Sequence, residues 1–332
     1  MPVRTQTLTE ILEAFAVGDA MGMPTEFMTR SHIKHTIGSV NNFVDPKLSK
    51  HHSDLPCGTI TDDTEQNLFL IRAYVEAGKI DEPTTTAALL DWIETSDAVA
   101  KRYIGPSSLK ALRAIASGAN PKEAGTGGTT CGGLMRTPAA VLCTSTDSGY
   151  PQLTEHIQQC LISTHYTSQA LEAACAYGYA LQGALRQNSL TEIIQSALEG
   201  ARMGLTLAPY EACSASSGFR IQYMLKQKFD NDSELLDFLY GAYGTGLESA
   251  DVCAAVFALF LRYPEDPWKA IRLASEIGGD TDTIAALTGA LCTAYRGSHN
   301  IPREIVETVA QQNHIDFSSI AVSLSELHKD SN

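Results

Sequence analysis

The sequence Gly278-Gly279-Asp280-Thr281-Asp282-Thr283 joins a glycine pair to alternating aspartates and threonines, and an apolar helical pattern follows at 284–295. A second acidic cluster, Thr61-Asp62-Asp63-Thr64, lies far earlier in the chain and precedes another apolar pattern at 68–75. Carboxylates at a helix N-terminus cap free N–H groups, so either cluster alone can be a helix cap. Four aspartates brought together repel one another unless a cation compensates their charge. The two clusters therefore predict two halves of one metal site.

The donor atoms of both clusters are carboxylate and hydroxyl oxygens, which suit Mg²⁺ or Mn²⁺ rather than zinc. The glycine pair lets the backbone approach a ligand closely or adopt a positive φ angle before the helix. Two metal ions about 3.5–4 Å apart are a common arrangement for activating water and holding a substrate oxygen. Two interpretations remain open from the residues alone, capped helices and a two-metal centre, and the pairing of the clusters favours the second.

Apolar residues recur at helical spacing along most of the chain. The segments with this pattern are 8–16, 68–75, 89–93, 109–116, 153–161, 170–185, 190–205, 235–243, 252–261, 268–277, 284–295 and 305–309. Convincing strand alternation and a fixed-period repeat are both absent from the sequence. We therefore predict an all-α fold that forms one large domain over residues 1–332, with a long polar loop at 29–58.

The net charge of −14 and the lack of any basic run argue against a nucleic-acid partner. The N-terminus lacks a signal-peptide pattern, and the longest apolar run, 252–261, is too short to span a bilayer. The eight cysteines contain no Cys-x-x-Cys pair, which is typical of reduced, buried side chains. We expect a cytoplasmic protein without a membrane partner, and the sequence leaves its oligomeric state open.

Five motifs occur in a fixed order along the chain. They are Gly18-Asp19-Ala20-x-Gly22-x-x-x-Glu26, Thr61-Asp62-Asp63-Thr64, Gly132-Gly133-Leu134-Met135-Arg136, Thr164-His165 and Gly278-Gly279-Asp280-Thr281-Asp282-Thr283. This series resembles the ADP-ribosylglycohydrolase family, most strongly over residues 7–303. The resemblance implies an all-α orthogonal helical bundle with a binuclear Mg²⁺ or Mn²⁺ site in a central cleft. It also implies hydrolysis of the glycosidic bond of an ADP-ribosylated protein side chain or a small ADP-ribose conjugate.

The resemblance also implies roles for individual residues. Glu26 would act as the general acid or base, and Asp19 would brace the first loop. The metal ligands would be Thr61, Asp62, Asp63, Asp280, Asp282 and Thr283. The ligand-contacting residues would be Gly105, Ser107, Ser108, Gly127, Gly128, Thr129 and His165. Without the resemblance, the glycine-rich loop at 125–133 is equally well a surface turn and His165 a core or capping residue.

This chain departs from the family pattern at two positions. Arginine-specific members carry Asp-Ile-Gly where this chain has Ser96-Asp97-Ala98-Val99, and position alone assigns Asp97 a catalytic role. Some members place an aromatic residue near Thr129 to stack on adenine, and Tyr103, Phe219 or Tyr223 would have to replace it. Two further functions remain open: hydrolysis of a smaller ribosyl compound such as a nucleoside, and a non-catalytic ADP-ribose-binding or structural, crystallin-like function.

Overall fold

Helices supply nearly all the regular structure of this protein. The computed structural model describes residues 3–330, and the side chains of residues 3–327. No strand occurs within residues 3–330, where a single isolated bridge pairs Thr130 with Glu248. The α-helices are α1 Thr5–Gly22, α2 Arg30–Thr36, α3 Asp62–Ala77, α4 Glu82–Thr95, α5 Pro106–Ala116, α6 Pro121–Ala124, α7 Thr137–Leu142, α8 Tyr150–Leu161, α9 Ser168–Leu185, α10 Leu190–Leu207, α11 Ser217–Met224, α12 Asp232–Phe238, α13 Ser249–Arg262, α14 Pro267–Glu276, α15 Thr281–Arg296, α16 Arg303–Gln312 and α17 Phe317–Asp330. Short 3₁₀ turns at Met23–Thr25, Pro46–Leu48, Gly125–Gly127 and Leu134–Arg136, and a π turn at Leu239–Tyr243, complete the helical structure.

The core lies around α9, which is buried along its whole length. This helix packs against α8, α10, α13 and α15, and small alanine side chains let these helices approach closely. Burial of apolar surface on this scale is the main force that holds helices together in water. The helices over residues 3–330, with no strand among them, confirm the all-α prediction.

The contact between α1 and α15 sets the position of the acidic residues. A Cβ atom on Gly18 would lie 2.4 Å from the carbonyl oxygen of Ala285, and one on Gly22 would lie 2.4 Å from the Cα atom of Asp282. Only glycine allows two helix backbones to approach this closely. The contact fixes the first turn of α15, which carries Asp282, against α1, which carries Asp19.

The segment predicted as a long loop at 29–58 contains regular structure, so that prediction is wrong in part. Helix α2 begins after Thr29, whose side chain accepts a hydrogen bond from the His32 N–H group, and a 3₁₀ turn follows at Pro46–Leu48. Only Arg30 and Ile33 are buried in α2, and a seven-residue helix with one buried apolar side chain has no detectable periodicity.

Helices α16 and α17 continue the bundle beyond residue 303, where α17 packs against α1 and α3. No helix within residues 3–330 combines the length and apolar character needed to cross a membrane. The eight cysteines are free, and six of them are buried.

Candidate metal centre and cleft

The N-termini of α3 and α15 face each other, and their oxygen-bearing side chains form one cluster. The hydroxyl group of Thr283 in α15 donates a hydrogen bond of 3.3 Å to Oδ2 of Asp63 in α3. The six residues predicted as ligands lie at these two helix starts, and all but the half-buried Asp62 are buried. They are Thr61, Asp62, Asp63, Asp280, Asp282 and Thr283. The fold thus brings together two segments that are remote in sequence.

Asp19 braces the start of α3 from its position in α1. Its carboxylate accepts hydrogen bonds from the Thr61 hydroxyl at 2.8 Å and the Thr64 hydroxyl at 2.6 Å. It also accepts from the backbone N–H groups of the same two threonines. Burial and the charge of Asp282 raise the pKa of Asp19 to about 7. Asp19 is therefore a buried support of the acidic cluster.

Two carboxylate oxygens in the cluster are buried without a hydrogen-bond partner, Oδ1 of Asp63 and Oδ1 of Asp282. Oxygens of Glu26, Asp280 and Asp282 lie within 4.8 Å of one another. An unpaired, buried carboxylate oxygen costs free energy unless a cation or donor meets it. The cluster therefore fits a hard divalent cation, which prefers oxygen ligands.

Burial raises the pKa of every carboxyl group in the cluster, and the charge of Asp282 is the next cause for its neighbours. The pKa values of Asp62, Asp63 and Asp280 are raised well above the usual range in this way. Burial also raises the pKa of the adjacent Cys131, so its thiol keeps its proton and donates to Oδ2 of Asp280 at 2.9 Å. Without a cation, the ionised carboxylates of the cluster would repel one another strongly.

Arg136 places a buried positive charge behind this cluster. Its guanidinium group donates to Oε1 of Gln66 at 3.1 Å, and Nε2 of Gln66 donates to Oδ2 of Asp62 at 3.0 Å. The Thr164 hydroxyl also accepts a hydrogen bond from Arg136. Because Gln66 lies between the two charges, Arg136 orients Asp62 without neutralising it directly.

The glycine pair passes through a narrow space just before Asp280. Gly278 and Gly279 have φ angles of 82° and 85°, and a Cβ atom on Gly279 would lie 1.9 Å from the carbonyl oxygen of Thr245. The Asp280 N–H group donates to that same carbonyl at 2.7 Å. A side chain at Gly279 is excluded both by the backbone conformation and by the lack of space.

Glu26 lies beside the cluster, on a segment attached to the glycine pair. The Phe27 N–H group donates to the Gly279 carbonyl at 2.8 Å, and the Gly279 N–H group donates to the Met28 carbonyl at 3.0 Å. Oε2 of Glu26 lies 2.9 Å from Nε2 of His52. Burial raises the pKa of Glu26 and lowers that of His52, so neither group is favoured in its charged form.

The acidic cluster, apart from Thr61, and Glu26 line a cleft of about 180 Å³. The rest of the lining consists of Phe27, the segment 102–106, Ser108, residues 130–132, Met135 and Leu247. Helix α5 starts at this wall after Gly105, and no side chain caps its first N–H groups. A helix N-terminus with free N–H groups carries a partial positive charge that attracts anions.

The sequence model of the ADP-ribosylglycohydrolase family matches residues 5–331. The chain belongs to this family. As an ADP-ribosylglycohydrolase, it is a member of a class of glycosidic-bond hydrolases, as the motif series implied.

Individual relatives of this ADP-ribosylglycohydrolase span almost the whole chain. It is 30% identical to the Escherichia coli protein YegU over 329 residues, or 98% of each chain. It is 27% identical to the ADP-ribosylarginine hydrolase Tri1 of Pseudomonas putida over 316 residues, which cover 92% of this chain and 74% of Tri1. A solved structure described as an ADP-ribosylglycohydrolase-related protein complex has the same fold, with a TM-score of 0.73, 24% identity, and coverage of 98% of this chain and 99% of that one.

The predicted ligand-contacting residues of this ADP-ribosylglycohydrolase are not all at the cleft. Gly105 and Ser108 line it, while Ser107 is half-buried at the start of α5 and outside the lining. Gly127 is exposed, Gly128 is buried, and Thr129 is half-buried outside the lining.

His165 is fully buried and does not reach the cleft lining. Its ring nitrogens lie within hydrogen-bonding distance of the hydroxyls of Thr130 and Thr164, at 3.0 and 2.9 Å. A Cβ atom on Gly128 would lie 2.8 Å from the Cα atom of His165, and one on Gly132 would lie 2.9 Å from its ring. His165 therefore packs against the glycine-rich loop at 125–133, and the glycines of that loop permit the close contact.

Asp97 is exposed after the end of α4, has a φ angle of 55°, and lies outside the cleft lining. The structure therefore does not bring it to the acidic cluster.

Of the aromatic residues considered for adenine stacking, Tyr103 lines the cleft. Phe219 and Tyr223 are exposed and stack on each other in α11, outside the lining.

Several cleft residues have no signal in the sequence. Arg102 and Leu247 line the cleft from irregular segments, and His52 contacts Glu26 from the segment that precedes α3. The polar stretch 29–58 contains four histidines, His52 among them, but this clustering does not indicate which of them contacts Glu26.

Proposed function

We propose that this ADP-ribosylglycohydrolase is a Mg²⁺- or Mn²⁺-dependent hydrolase that releases ADP-ribose from a protein side chain or a small acceptor. One observation carries the proposal: a single cleft holds the buried acidic cluster, the Glu26 carboxyl group and the uncapped start of α5. These three parts correspond to a ribose site, a proton-transfer group and a diphosphate site.

The proposed metal ligands are Thr61, Asp62, Asp63, Asp280, Asp282 and Thr283. The unpaired oxygens of Asp63 and Asp282 support this assignment, because they lack any other compensation. Two bound divalent ions would supply Lewis acidity toward the ribose hydroxyls and lower the pKa of a water molecule.

Glu26 is the proposed catalytic acid. Burial is the largest cause of its raised pKa, and the charges of Asp282 and Asp19 add to it. A carboxyl group with a raised pKa holds its proton more readily and can protonate the departing atom as the glycosidic bond breaks. It then accepts a proton from the attacking water, which restores the starting state.

The start of α5 is the proposed site of the diphosphate. Pro106 has no N–H group, so the first available donors are the N–H groups of Ser107 and Ser108, and the residue Ser108 lines the cleft. Arg102 adds a positive charge at the same wall. Anionic groups are favoured at such a position by both the free donors and the helix dipole.

A nucleoside or other small ribosyl compound is the second candidate substrate. The cleft volume of about 180 Å³ favours it, since pockets that enclose drug-sized ligands usually have volumes of about 300–1,000 Å³. A full ADP-ribose unit would extend along the wall formed by α5 and the segment 130–132.

We also propose that residues 1–332 act as one catalytic domain in the cytoplasm. The buried free cysteines support a reducing compartment, because thiols in oxidising compartments are usually paired. An ADP-ribosylated protein is the proposed macromolecular partner.

The test is hydrolysis of a substrate panel after removal of metal with EDTA and again after addition of Mg²⁺ or Mn²⁺. The panel contains ADP-ribosyl-arginine, ADP-ribosyl-serine, O-acetyl-ADP-ribose and free nucleosides. Metal-dependent release of ADP-ribose supports the proposal. Cleavage of nucleosides alone establishes the second candidate instead, and no cleavage of any compound refutes both.

A further inference from the structure

His52 makes a buried contact with the proposed catalytic acid. Its Nε2 atom lies 2.9 Å from Oε2 of Glu26, and the two side chains are only 5% and 11% exposed. Within the described part of the chain, this is the one hydrogen bond made by the Glu26 carboxyl group. We propose that His52 is a positioning residue that holds Glu26 in the orientation required for proton transfer, an inference that rests on the proposed function.

The backbone around Glu26 is fixed, but the side chain needs a separate restraint. Two hydrogen bonds attach Phe27 and Met28 to Gly279, and Phe27 itself has a φ angle of 56°. A glutamate side chain still has three rotatable bonds beyond this fixed backbone. A hydrogen bond from a fixed neighbour to one carboxyl oxygen removes most of that freedom.

His52 is itself held in place, as a positioning residue must be. Its backbone N–H group donates to the Ser49 hydroxyl at 3.0 Å, and its carbonyl accepts from the Leu55 N–H group at 3.1 Å. Its ring packs edge-on against Tyr103, with ring centroids 5.7 Å apart. Because Tyr103 also lines the cleft, this packing connects His52 to the cleft wall.

The contact assigns different tasks to the two oxygens of Glu26. A neutral imidazole that donates to Oε2 must carry its proton on Nε2. Oε1 is then the oxygen left for exchanging a proton with the departing atom and the attacking water. Loss of the contact would let the carboxyl group rotate, and misplacement by about 1 Å can lower a rate about 100-fold.

The neighbouring His51 provides a matched control within the same segment. It is exposed and packs edge-on against Phe27 at a centroid distance of 5.0 Å, without a hydrogen bond to Glu26. Two amides provide a finer control at position 52 itself. The Gln amide nitrogen is as many bonds from Cα as Nε2 and can reach Glu26, while the Asn amide nitrogen matches Nδ1 and cannot.

The experiment compares His52→Ala, His52→Asn, His52→Gln and His51→Ala in steady-state hydrolysis of the best substrate from the panel. We expect kcat to fall about 10–100-fold in the Ala and Asn variants, with KM and the Mn²⁺-induced shift in Tm unchanged. His52→Gln should recover most of the lost kcat, and His51→Ala should resemble the wild type. In long-range ¹H–¹⁵N spectra of the wild type with Mg²⁺, the His52 ring is identified as the signal that is absent from His52→Gln. We expect this signal to show the tautomer that carries its proton on Nε2.

The outcomes separate this inference from the proposed function. If wild-type protein cleaves no ADP-ribosyl conjugate, the proposed function fails and the positioning role fails with it. If wild-type protein is active and His52→Ala keeps its kcat, only the positioning role is overturned. Equal losses in the Gln and Asn variants overturn it as well, because a donor at the ε position would then make no difference.

Discussion

Replacing Asp282 with asparagine should make the metal-free protein more stable and remove its stabilisation by metal. The charge of Asp282 raises the pKa values of Asp19, Glu26, Asp62, Asp63 and Asp280, and it is the leading neighbouring charge for each of them. At mildly alkaline pH without metal, the substitution removes this repulsion, so Tm should rise. If Asp282 served only as a negative charge in the first turn of α15, the substitution would instead lower Tm slightly, since loss of such a charge costs about 0.3–1 kcal/mol.

The expected loss of the metal effect can be given a size. Metal at about 100 times its Kd stabilises a folded protein by about 2.7 kcal/mol. For 332 residues, an unfolding entropy of about 2.1 cal/mol/K per residue makes this a rise in Tm of about 4 °C. If Asp282→Asn weakens binding about 100-fold, the same metal concentration gives about 0.4 kcal/mol, a rise below about 1 °C.

The assay is thermal unfolding of EDTA-treated protein during titration with Mg²⁺ or Mn²⁺. Glu94→Gln is the control, because Glu94 is an exposed acid on α4 outside the cluster, and both its Tm and its metal response should match the wild type. A lower Tm for metal-free Asp282→Asn together with a full metal-induced shift would refute the ligand assignment.

Asp19, Gly279 and Glu26 each lead to a further prediction. The folded-state pKa of Asp19 is about 7 against 3.8 in the unfolded chain, so folded protein binds more protons between these values. From pH 4 to pH 7, this group alone should lower the free energy of unfolding of the metal-free protein by about 3 kcal/mol, and urea titrations that show no fall would contradict this. Gly279→Ala should destabilise the protein by more than about 3 kcal/mol, because of its φ angle of 85° and the nearby Thr245 carbonyl. The control Gly78→Ala has a φ angle of 62° with open space around it and should cost only about 1 kcal/mol in the same denaturation assay. Glu26→Gln should lower kcat at least about 100-fold while thermal unfolding still shows most of the metal-induced shift, and a lost shift would make Glu26 a ligand.

The sequence supports prediction of the acidic cluster because both halves combine a helix start with unusual charge. Asp62 and Asp63 precede one apolar helix and Asp280 and Asp282 another, and like charges at two helix starts indicate a shared cation. The long helices were also predictable, because their apolar residues recur at helical spacing over several turns.

Other parts of the site depend on contacts that leave no periodic signal. Nothing near His52 in the sequence indicates that it meets Glu26, because the contact arises from the path of an irregular segment. His165 is a different case, since a motif can mark a residue that packs against a loop as readily as one that lines a cleft. The spacing of α5 relative to the acidic cluster likewise depends on how separate helices pack, which short motifs do not encode.

The most direct test is crystallography with Mn²⁺ and ADP-ribose, using anomalous scattering to locate the manganese. We expect two anomalous peaks among the oxygens of Thr61, Asp62, Asp63, Asp280, Asp282 and Thr283. The ribose that carries the anomeric carbon should lie next to Glu26, and the diphosphate should lie at the start of α5. Manganese bound only at surface carboxylates, or ADP-ribose bound outside this cleft, would contradict the proposed site.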